Sequence, residues 1–336
     1  MKKYALIAGL ILSLSLTACN NNGVPKKEKY SNEVDYATFN EGINKVMGND
    51  SELIPSGSEE DEQPSLKLVS KITSDEKQVL KGADEKEIGN MVSKITLNQE
   101  SQYDGKNNIS KIKTKGSGTS KLTLNGEVNE EKVSLDYTRI FQVIGEGEEK
   151  KNVSVNEKDK EYYVASDSPV TQTVMVIALP LLFIGFGTAG WDTKTDAEKA
   201  KWHFYIDKEV LFTLTYTDTS TKELKDTISG EYTKYADEVE EETVLMQIKA
   251  LKKKDELKGM TIYFEMKSVE TTTYVVDYED EDAEMTFHAG EVLTGESEVV
   301  IATRLELAKV TLAPVDLSSY TLKDKDTEGE LNPLSN

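Results

Sequence analysis

Along most of the chain, hydrophobic and polar residues alternate with a period of two. In 210–217, Phe212, Leu214 and Tyr216 fall on one side of a strand and threonines on the other. This alternation is typical of a β-strand with one buried and one solvated face. Short polar turns separate further segments of the same kind, namely 122–124, 133–137, 162–164, 202–206, 244–251, 260–266, 271–278, 285–288 and 299–312. The sequence therefore predicts a single mainly β (α+β) domain over 35–322, built as a long antiparallel meander.

Two segments repeat their apolar residues at helical spacing instead. Tyr36, Phe39 and Ile43 predict an amino-terminal helix near 35–48, and a similar pattern predicts a second helix near 85–95. Two further segments, one near each end of the chain, are polar and show no periodicity. Residues 19–34 are therefore predicted to be a flexible tether, and residues 323–336 a polar tail.

The most apolar part of the chain is 174–187, with the sequence VMVIALPLLFIGFG. Three interpretations of it stay open. A membrane-spanning helix is disfavoured, because such a helix needs about 20 apolar residues and this segment is shorter and contains Pro180. A core element buried on all sides would explain the missing polar face. A mobile, lid-like segment that lines an apolar cavity would explain it equally.

Composition excludes several classes of function. The 336 residues include 61 acidic and 40 basic side chains, which gives a formal net charge of −21. No nucleic-acid partner is expected, because phosphate binding needs a surplus of Lys and Arg. The single cysteine rules out a disulfide framework and a cysteine-based zinc site.

That cysteine ends an amino-terminal targeting pattern. Lys2 and Lys3 precede an apolar run of signal-peptide length, and the run closes with LTAC at 16–19. LTAC resembles the lipobox of bacterial lipoproteins, which makes 1–18 a lipoprotein signal peptide.

The lipobox resemblance has three implications. The chain is cut between Ala18 and Cys19, the Cys19 sulfur carries a diacylglycerol, and the mature protein is held at the cell membrane or elsewhere in the cell envelope, outside the cytoplasm. Removing Lys2 and Lys3 lowers the net charge from −21 to −23. Beside anionic lipid, that charge is expected to keep the domain away from the membrane surface.

Candidate catalytic groups are few. His203 and His288 are the two histidines, and both lie in strand-like runs without a recognisable nucleophile nearby in sequence. Acidic runs at 59–62 and 279–284 are most simply solvated turns. We therefore expect no catalysis, no metal site and no cofactor.

The order of elements over 35–322 resembles the open half-barrel of LolA/LolB-type lipoprotein carriers. This resemblance implies one large curved antiparallel sheet, an amino-terminal helix, one or two covering helices and a lid at 174–187. The residues that would form the lid or line the cavity are Val174, Val176, Ile177, Leu179, Leu181, Leu182, Phe183, Ile184 and Phe186. It also implies non-catalytic binding of a hydrophobic or amphiphilic ligand. The alternative is a surface interaction or structural lipoprotein that contacts an envelope protein and has no small-molecule ligand.

Overall fold

The protein consists mainly of one very large open β-sheet. A computed structural model describes residues 23–47, 64–124, 126–145, 147–254, 256–280 and 285–323. Strands account for 63% of the described residues and helices for 14%. The sheet has 13 strands and is not closed. The predicted fold class is therefore confirmed, whereas the signal peptide and Cys19 lie outside the described residues.

The first half of the chain runs from the amino-terminal helix to the covering helix. Its elements are β1 (Glu33–Val34), α1 (Tyr36–Met47), β2 (Leu66–Lys81), β3 (Glu87–Asp104), β4 (Ile109–Leu124), β5 (Glu127–Ile144), β6 (Lys151–Asn156), β7 (Glu161–Val164) and α2 (Pro169–Thr188). The second half is α3 (Asp196–Lys199), β8 (Trp202–Asp207), β9 (Leu211–Ile228), β10 (Glu231–Lys253), β11 (Glu256–Tyr274), β12 (Tyr278–Asp280), β13 (Met285–Phe287), β14 (Val292–Leu307) and β15 (Thr321–Lys323).

Two antiparallel meanders form the sheet. The strand order is β1-β8-β9-β10-β11-β14-β2-β3-β4-β5-β6-β7-β15, and β12 and β13 form a separate hairpin. β14 pairs with β2 and so joins the carboxyl-terminal meander to the amino-terminal one. Along this order every pair is antiparallel except the last, where β15 runs parallel to β7. The short strands β1 and β15 form the two edges.

The register sets the side chains of one sheet face in rows across the strands. One row contains Leu97, Ile72, Ile301, Phe264 and Met246, on β3, β2, β14, β11 and β10. All five are buried in the main core. We call this the inner face, and the face with the alternate residues the outer face.

Helix α1 confirms the prediction for 35–48 and packs on the inner face. Phe39 is buried, with its ring centroid 5.0 Å from that of Phe204 and 6.1 Å from that of Phe212. Asp35 precedes the helix and accepts a hydrogen bond from the Thr38 N–H at 2.7 Å. This is the arrangement of an N-cap, which satisfies an unpaired amide at a helix start.

Helix α2 contains the apolar segment 174–187 and lies across the inner face. Ser168 caps it and Pro169 is in its first turn, where a missing N–H costs nothing. Thr173 shares a buried hydrogen bond with Ser110 of β4. Val176 is buried in the main core. The segment is thus a core element and a cover for the sheet, in a helical conformation.

The predicted helix at 85–95 is wrong, because residues 87–95 belong to β3 and residues 85–86 to the turn before it. In a strand, Met91 and Ile95 lie on one face and Val92 on the other, so the helix-like spacing comes from side chains on both faces. β3 pairs with β2 on one side and with β4 on the other. Two complete ladders of backbone hydrogen bonds favour the strand over the weak local preference for helix.

The predicted flexible tether is also wrong for its described part. Residues 23–34, the amino-terminal strap, cross the outer face over β11, β10 and β8 as far as Asn32 and end in the edge strand β1. Gln247 donates to the Glu28 carbonyl at 3.0 Å and accepts from the Glu28 N–H at 2.8 Å. Asn32 donates to the Ile206 carbonyl at 2.7 Å. The polar composition reflects an extended segment whose backbone is bonded to the sheet.

Residues 308–320, the carboxyl-terminal strap, lie on the outer face of the other meander. The Val315 N–H donates to the Gln142 side chain at 2.7 Å, and Gln142 donates back to the Val315 carbonyl at 3.0 Å. Apolar strap residues pack on a buried cluster that contains Ile140 and Val153. Both straps are therefore hydrogen-bonded to side chains on the outer face of the sheet.

Asp104 fixes the carboxyl-terminal strap, and we predict that Asp104→Ala loosens it. Its buried carboxylate accepts the Leu312 N–H at 2.8 Å and the Asn107 side chain at 2.8 Å. Burial raises the pKa of Asp104, but backbone hydrogen bonds from Leu312 and Asn107 outweigh it and leave the pKa below its usual value. This contribution is present at neutral pH and is lost as acid protonates the folded carboxylate.

The loss expected for Asp104→Ala is about 1–3 kcal/mol of unfolding free energy, typical for hydrogen bonds to a charged group. Urea denaturation at neutral pH measures it, and hydrogen exchange of Leu312 reports the strap directly. The matched control is Asp75→Ala on β2, an exposed carboxylate 3.2 Å from Lys94, for which we expect at most about 1 kcal/mol. Equal losses for the two variants would contradict the role of Asp104.

Candidate functional site

An apolar groove lies on the inner face where β3, β4 and β5 run side by side. It encloses about 520 Å³, including the solvent at its mouth. Its lining residues are Ser93, Ile95, Leu97, Ser117, Gly118, Thr119, Ser120, Glu131, Val133 and Leu135. Ile95 and Leu135 also pack against the main core, so the groove is a continuation of that core beyond the area covered by the helices.

Two glycines of β4 create the floor of the groove. Gly116 lies in register between Leu97 and Leu135, and Gly118 between Ile95 and Val133. A Cβ atom at Gly116 would come within 2.3 Å of the Leu97 side chain. A Cβ atom at Gly118 would have its nearest neighbours at 3.6 Å. The missing side chains lower the floor between the walls of β3 and β5.

The row of residues just beyond the inner end of the groove is polar and largely buried, and its members do not line the groove. In this row, Gln99 of β3 lies beside Thr114 of β4 and Tyr137 of β5. Gln99 donates to the Ser101 hydroxyl at 2.6 Å. The Gln99 Oε1 and Thr114 Oγ1 atoms are buried and have no hydrogen-bond partner within the part of the chain that the structure describes.

Unpaired buried polar atoms are unusual because each costs about 1–3 kcal/mol. A ligand that hydrogen-bonds to Gln99 and Thr114 would recover this energy. Next to them, the Arg139 guanidinium lies 5.1 Å from the centre of the Tyr137 ring. The groove therefore has apolar walls, and a buried polar row lies just beyond its inner end.

The mouth of the groove is polar as well. The row beyond Gly118 contains Ser93, Ser120 and Glu131 in register. With about 3.4 Å per strand residue, this row lies about 14 Å from the row of Gly116. Apolar contact is thus restricted to a short channel between two polar rows.

The predicted cavity residues on α2 mostly pack into the core. Val176 and Ile177 are buried, and Val174, Leu181 and Phe183 are partly buried against the same cluster. Leu182 is 51% exposed. The side chains of Leu179, Ile184 and Phe186 lie outside the described residues.

Phe183 joins an aromatic cluster away from the groove. Its ring centroid lies 5.7 Å from those of Trp202 and Phe264 and 6.2 Å from that of Tyr216. The groove walls come instead from β3, β4 and β5, which the sequence interpretation missed. The signal that was available is Gly116-Ser117-Gly118 inside an alternating strand, because interior glycines mark a close approach or a missing side chain.

The histidines are far from forming a catalytic centre. The Nδ1 atom of His203 lies 2.8 Å from Glu33 Oε1, and that of His288 lies 3.6 Å from Asp277, with all four side chains exposed. Within the described ranges, neither ring has a hydrogen bond to a serine, threonine or cysteine. The expectation of no catalysis stays a prediction.

The described part of the chain shows neither a metal-binding cluster nor a membrane-spanning helix. Among the described residues, no group of three or more His, Cys, Asp or Glu side chains is placed to hold a metal ion. None of the helices described is long and apolar enough to cross a membrane. Residues 281–284 of the acidic run at 279–284 lie outside the described residues.

Comparison with known proteins gives little. No protein-family model and no curated protein sequence matches this chain. Among solved structures, the outer membrane protease OmpT from Escherichia coli is 5% identical, with a TM-score of 0.23, over 74% of this chain and 98% of its own. A Pseudomonas aeruginosa FadL homologue is 8% identical, with a TM-score of 0.16, over 83% and 99%. Similarity at this level supports no conclusion about fold or function.

Proposed function

We propose that this protein is a membrane-anchored envelope lipoprotein that binds an amphiphilic ligand in the groove of β3, β4 and β5 without chemical conversion. The observation that carries the proposal is the combination of an apolar channel over Gly116 and Gly118 with unpaired polar atoms on Gln99 and Thr114. The lipobox at 16–19 supports the anchor and the location outside the cytoplasm.

The groove chemistry defines a ligand class. Each methylene group that enters the apolar channel contributes about 0.8 kcal/mol. Gln99 Oε1 accepts hydrogen bonds and the Thr114 hydroxyl donates or accepts them, so a hydroxyl or amide head group satisfies both. We therefore expect a molecule with one hydrocarbon chain and an uncharged, hydrogen-bonding head.

Lipid extraction tests the proposal directly. Residues 20–336 are expressed without the cysteine, purified without detergent, and analysed by mass spectrometry of the extracted lipid. The expected result is a co-purifying single-chain amphiphile, and uptake of a fluorescent monoacylglycerol by the extracted protein. A protein that carries no lipid and takes up none would contradict the proposal.

A surface interaction function is the second candidate. The outer face of β10 and β11 exposes Val239 and Val269, each 39% exposed, beside the threonine-rich outer face of β9. A stable partner in cells after crosslinking and pull-down, together with absence of lipid, would favour this alternative.

A further inference from the structure

We propose that the outer face of β14, β2, β3 and β4 is the side of the domain that faces the membrane, through a basic patch that contacts anionic phospholipid. The inference rests on the proposed function, because it uses the lipid anchor at Cys19. It adds an orientation that the anchor alone does not define, and it reverses the expectation that the acidic domain is held away from the bilayer.

The first argument is where the anchored chain meets the domain. The described part of the amino-terminal strap begins at Gly23, where a Cβ atom would lie 3.8 Å from the Arg304 side chain of β14. Three residues lie between Cys19 and Gly23, so four residue steps separate them. At about 3.6 Å per extended residue, the anchor is at most about 14 Å from Gly23. The strap itself is bonded to the sheet and provides no further slack.

The second argument is the charge of the outer face beside that point. The register places Lys71 in one row with Gln247, whose side chain is hydrogen-bonded to the amino-terminal strap. Arg304 lies in the neighbouring row, beside Val69. From one strap to the other, the basic residues of the four strands are Arg304, Lys67, Lys71, Lys111, Lys113 and Lys115, and the acidic ones are Glu100, Glu306 and Asp104, which is bonded to the carboxyl-terminal strap. This basic patch is opposite in sign to the whole protein, whose net charge is −21.

Lys67 and Lys71 are the members most available to a partner. Lys111 lies 3.5 Å from Glu157, and Lys115 lies 2.7 Å from Asp136. For Lys67 and Lys71, no ion pair is present within the described ranges. Strands lie about 4.8 Å apart, so β2 is adjacent to β14 and within reach of the anchor.

The third argument is that negative charge lies further along the outer faces of β14 and β10, while Lys77, Lys81, Lys94 and Lys121 lie further along those of β2, β3 and β4. The outer face of β14 carries Glu296 and Glu298, and that of β10 carries Asp237 and Glu241. Attraction to anionic lipid decays within about 8 Å at physiological salt. The orientation that brings the basic patch beside the anchor to the surface, and points the acidic ends of β14 and β10 away, is therefore favoured. It directs the inner face, with its groove, away from the bilayer.

Depth-dependent quenching tests this orientation on the full lipidated protein. A fluorophore is placed on Gln102→Cys, exposed in the basic patch, or on Thr221→Cys, exposed at the far end of the outer face of β9. The protein is reconstituted in phosphatidylcholine vesicles with or without phosphatidylglycerol, and a nitroxide-labelled lipid is the quencher. We expect stronger quenching at position 102 than at 221, with the difference increased by phosphatidylglycerol and lost in high salt.

The matched variants lie on one strand and one face. Lys67→Glu with Lys71→Glu should abolish the difference between the two labels. Lys77→Glu with Lys81→Glu, further along the outer face of β2, should preserve it. Equal quenching at the two labels, or an equal effect of both double variants, would overturn the proposed orientation.

The same preparation separates the two hypotheses. Intact mass measurement shows whether Cys19 carries a lipid, and lipid extraction shows whether the groove does. Lipidated protein with equal quenching overturns the orientation alone. An unmodified Cys19 overturns both the anchor of the proposed function and this inference.

Discussion

Replacing Gly118 with leucine is expected to weaken ligand binding at least about tenfold while the sheet remains folded. The neighbours at 3.6 Å leave space for a Cβ atom, and the remaining side-chain atoms extend into the groove between Ile95 and Val133. Exclusion of as few as two methylene groups costs about 1.6 kcal/mol, which corresponds to slightly more than a factor of ten. Displacement of a fluorescent monoacylglycerol measures the change.

The control for Gly118→Leu is Ser134→Leu on the adjacent strand β5. Ser134 is exposed on the outer face, between the groove residues Val133 and Leu135 in sequence. The Ser134→Leu substitution adds a leucine to the same part of the sheet but on the opposite face, so ligand binding should stay unchanged. Normal binding by Gly118→Leu, with an unaltered urea midpoint, would place the ligand elsewhere.

The largest loss of stability is expected for Phe204→Ala, at about 3–5 kcal/mol of unfolding free energy. Phe204 is buried on β8, and its ring centroid lies 5.0 Å from that of Phe39, 5.3 Å from that of Trp191 and 5.4 Å from that of Tyr36. The substitution leaves a cavity where α1, the turn after α2 and the sheet meet. Urea denaturation monitored by circular dichroism measures the loss.

Tyr232→Ala provides the comparison for Phe204→Ala. Tyr232 is 78% exposed near the start of β10, so its removal should change the unfolding free energy by no more than about 0.5 kcal/mol. If Phe204→Ala cost as little, α1 would not be held by this aromatic contact. A selective loss of protection in α1 by hydrogen exchange would confirm the local cause.

Alternation of side chains was sufficient to predict the sheet, because one buried face imposes a period of two on every long strand. It failed at 85–95, where Ile88, Met91, Val92 and Ile95 occupy both faces of β3 and imitate a helix. The pairing of β2 with β14 could not be predicted, since nothing in the local pattern specifies which distant strands become neighbours.

The candidate site was harder to predict than the fold. The apolar composition of 174–187 predicts a cavity or lid there, whereas in the structure α2 is apolar mainly because it packs into the core. The groove depends on Gly116 and Gly118, which contribute no hydrophobic signal. The straps were missed for a related reason, since polar extended segments such as 23–34 look like linkers until their hydrogen-bond partners are known.

The pairing of β14 with β2 determines when the sheet can be completed during folding. Residues 66–81 pair with residues 292–307, so β2 keeps an unpaired edge until nearly all of the chain has been synthesised. Contacts between such distant residues form slowly, because a long loop must close first. A chain that crosses a membrane through a signal peptide has to arrive unfolded. If the chain is exported as proposed, the late pairing of β14 with β2 would prevent the sheet from being completed before export, and the carboxyl-terminal strap would hold it afterwards.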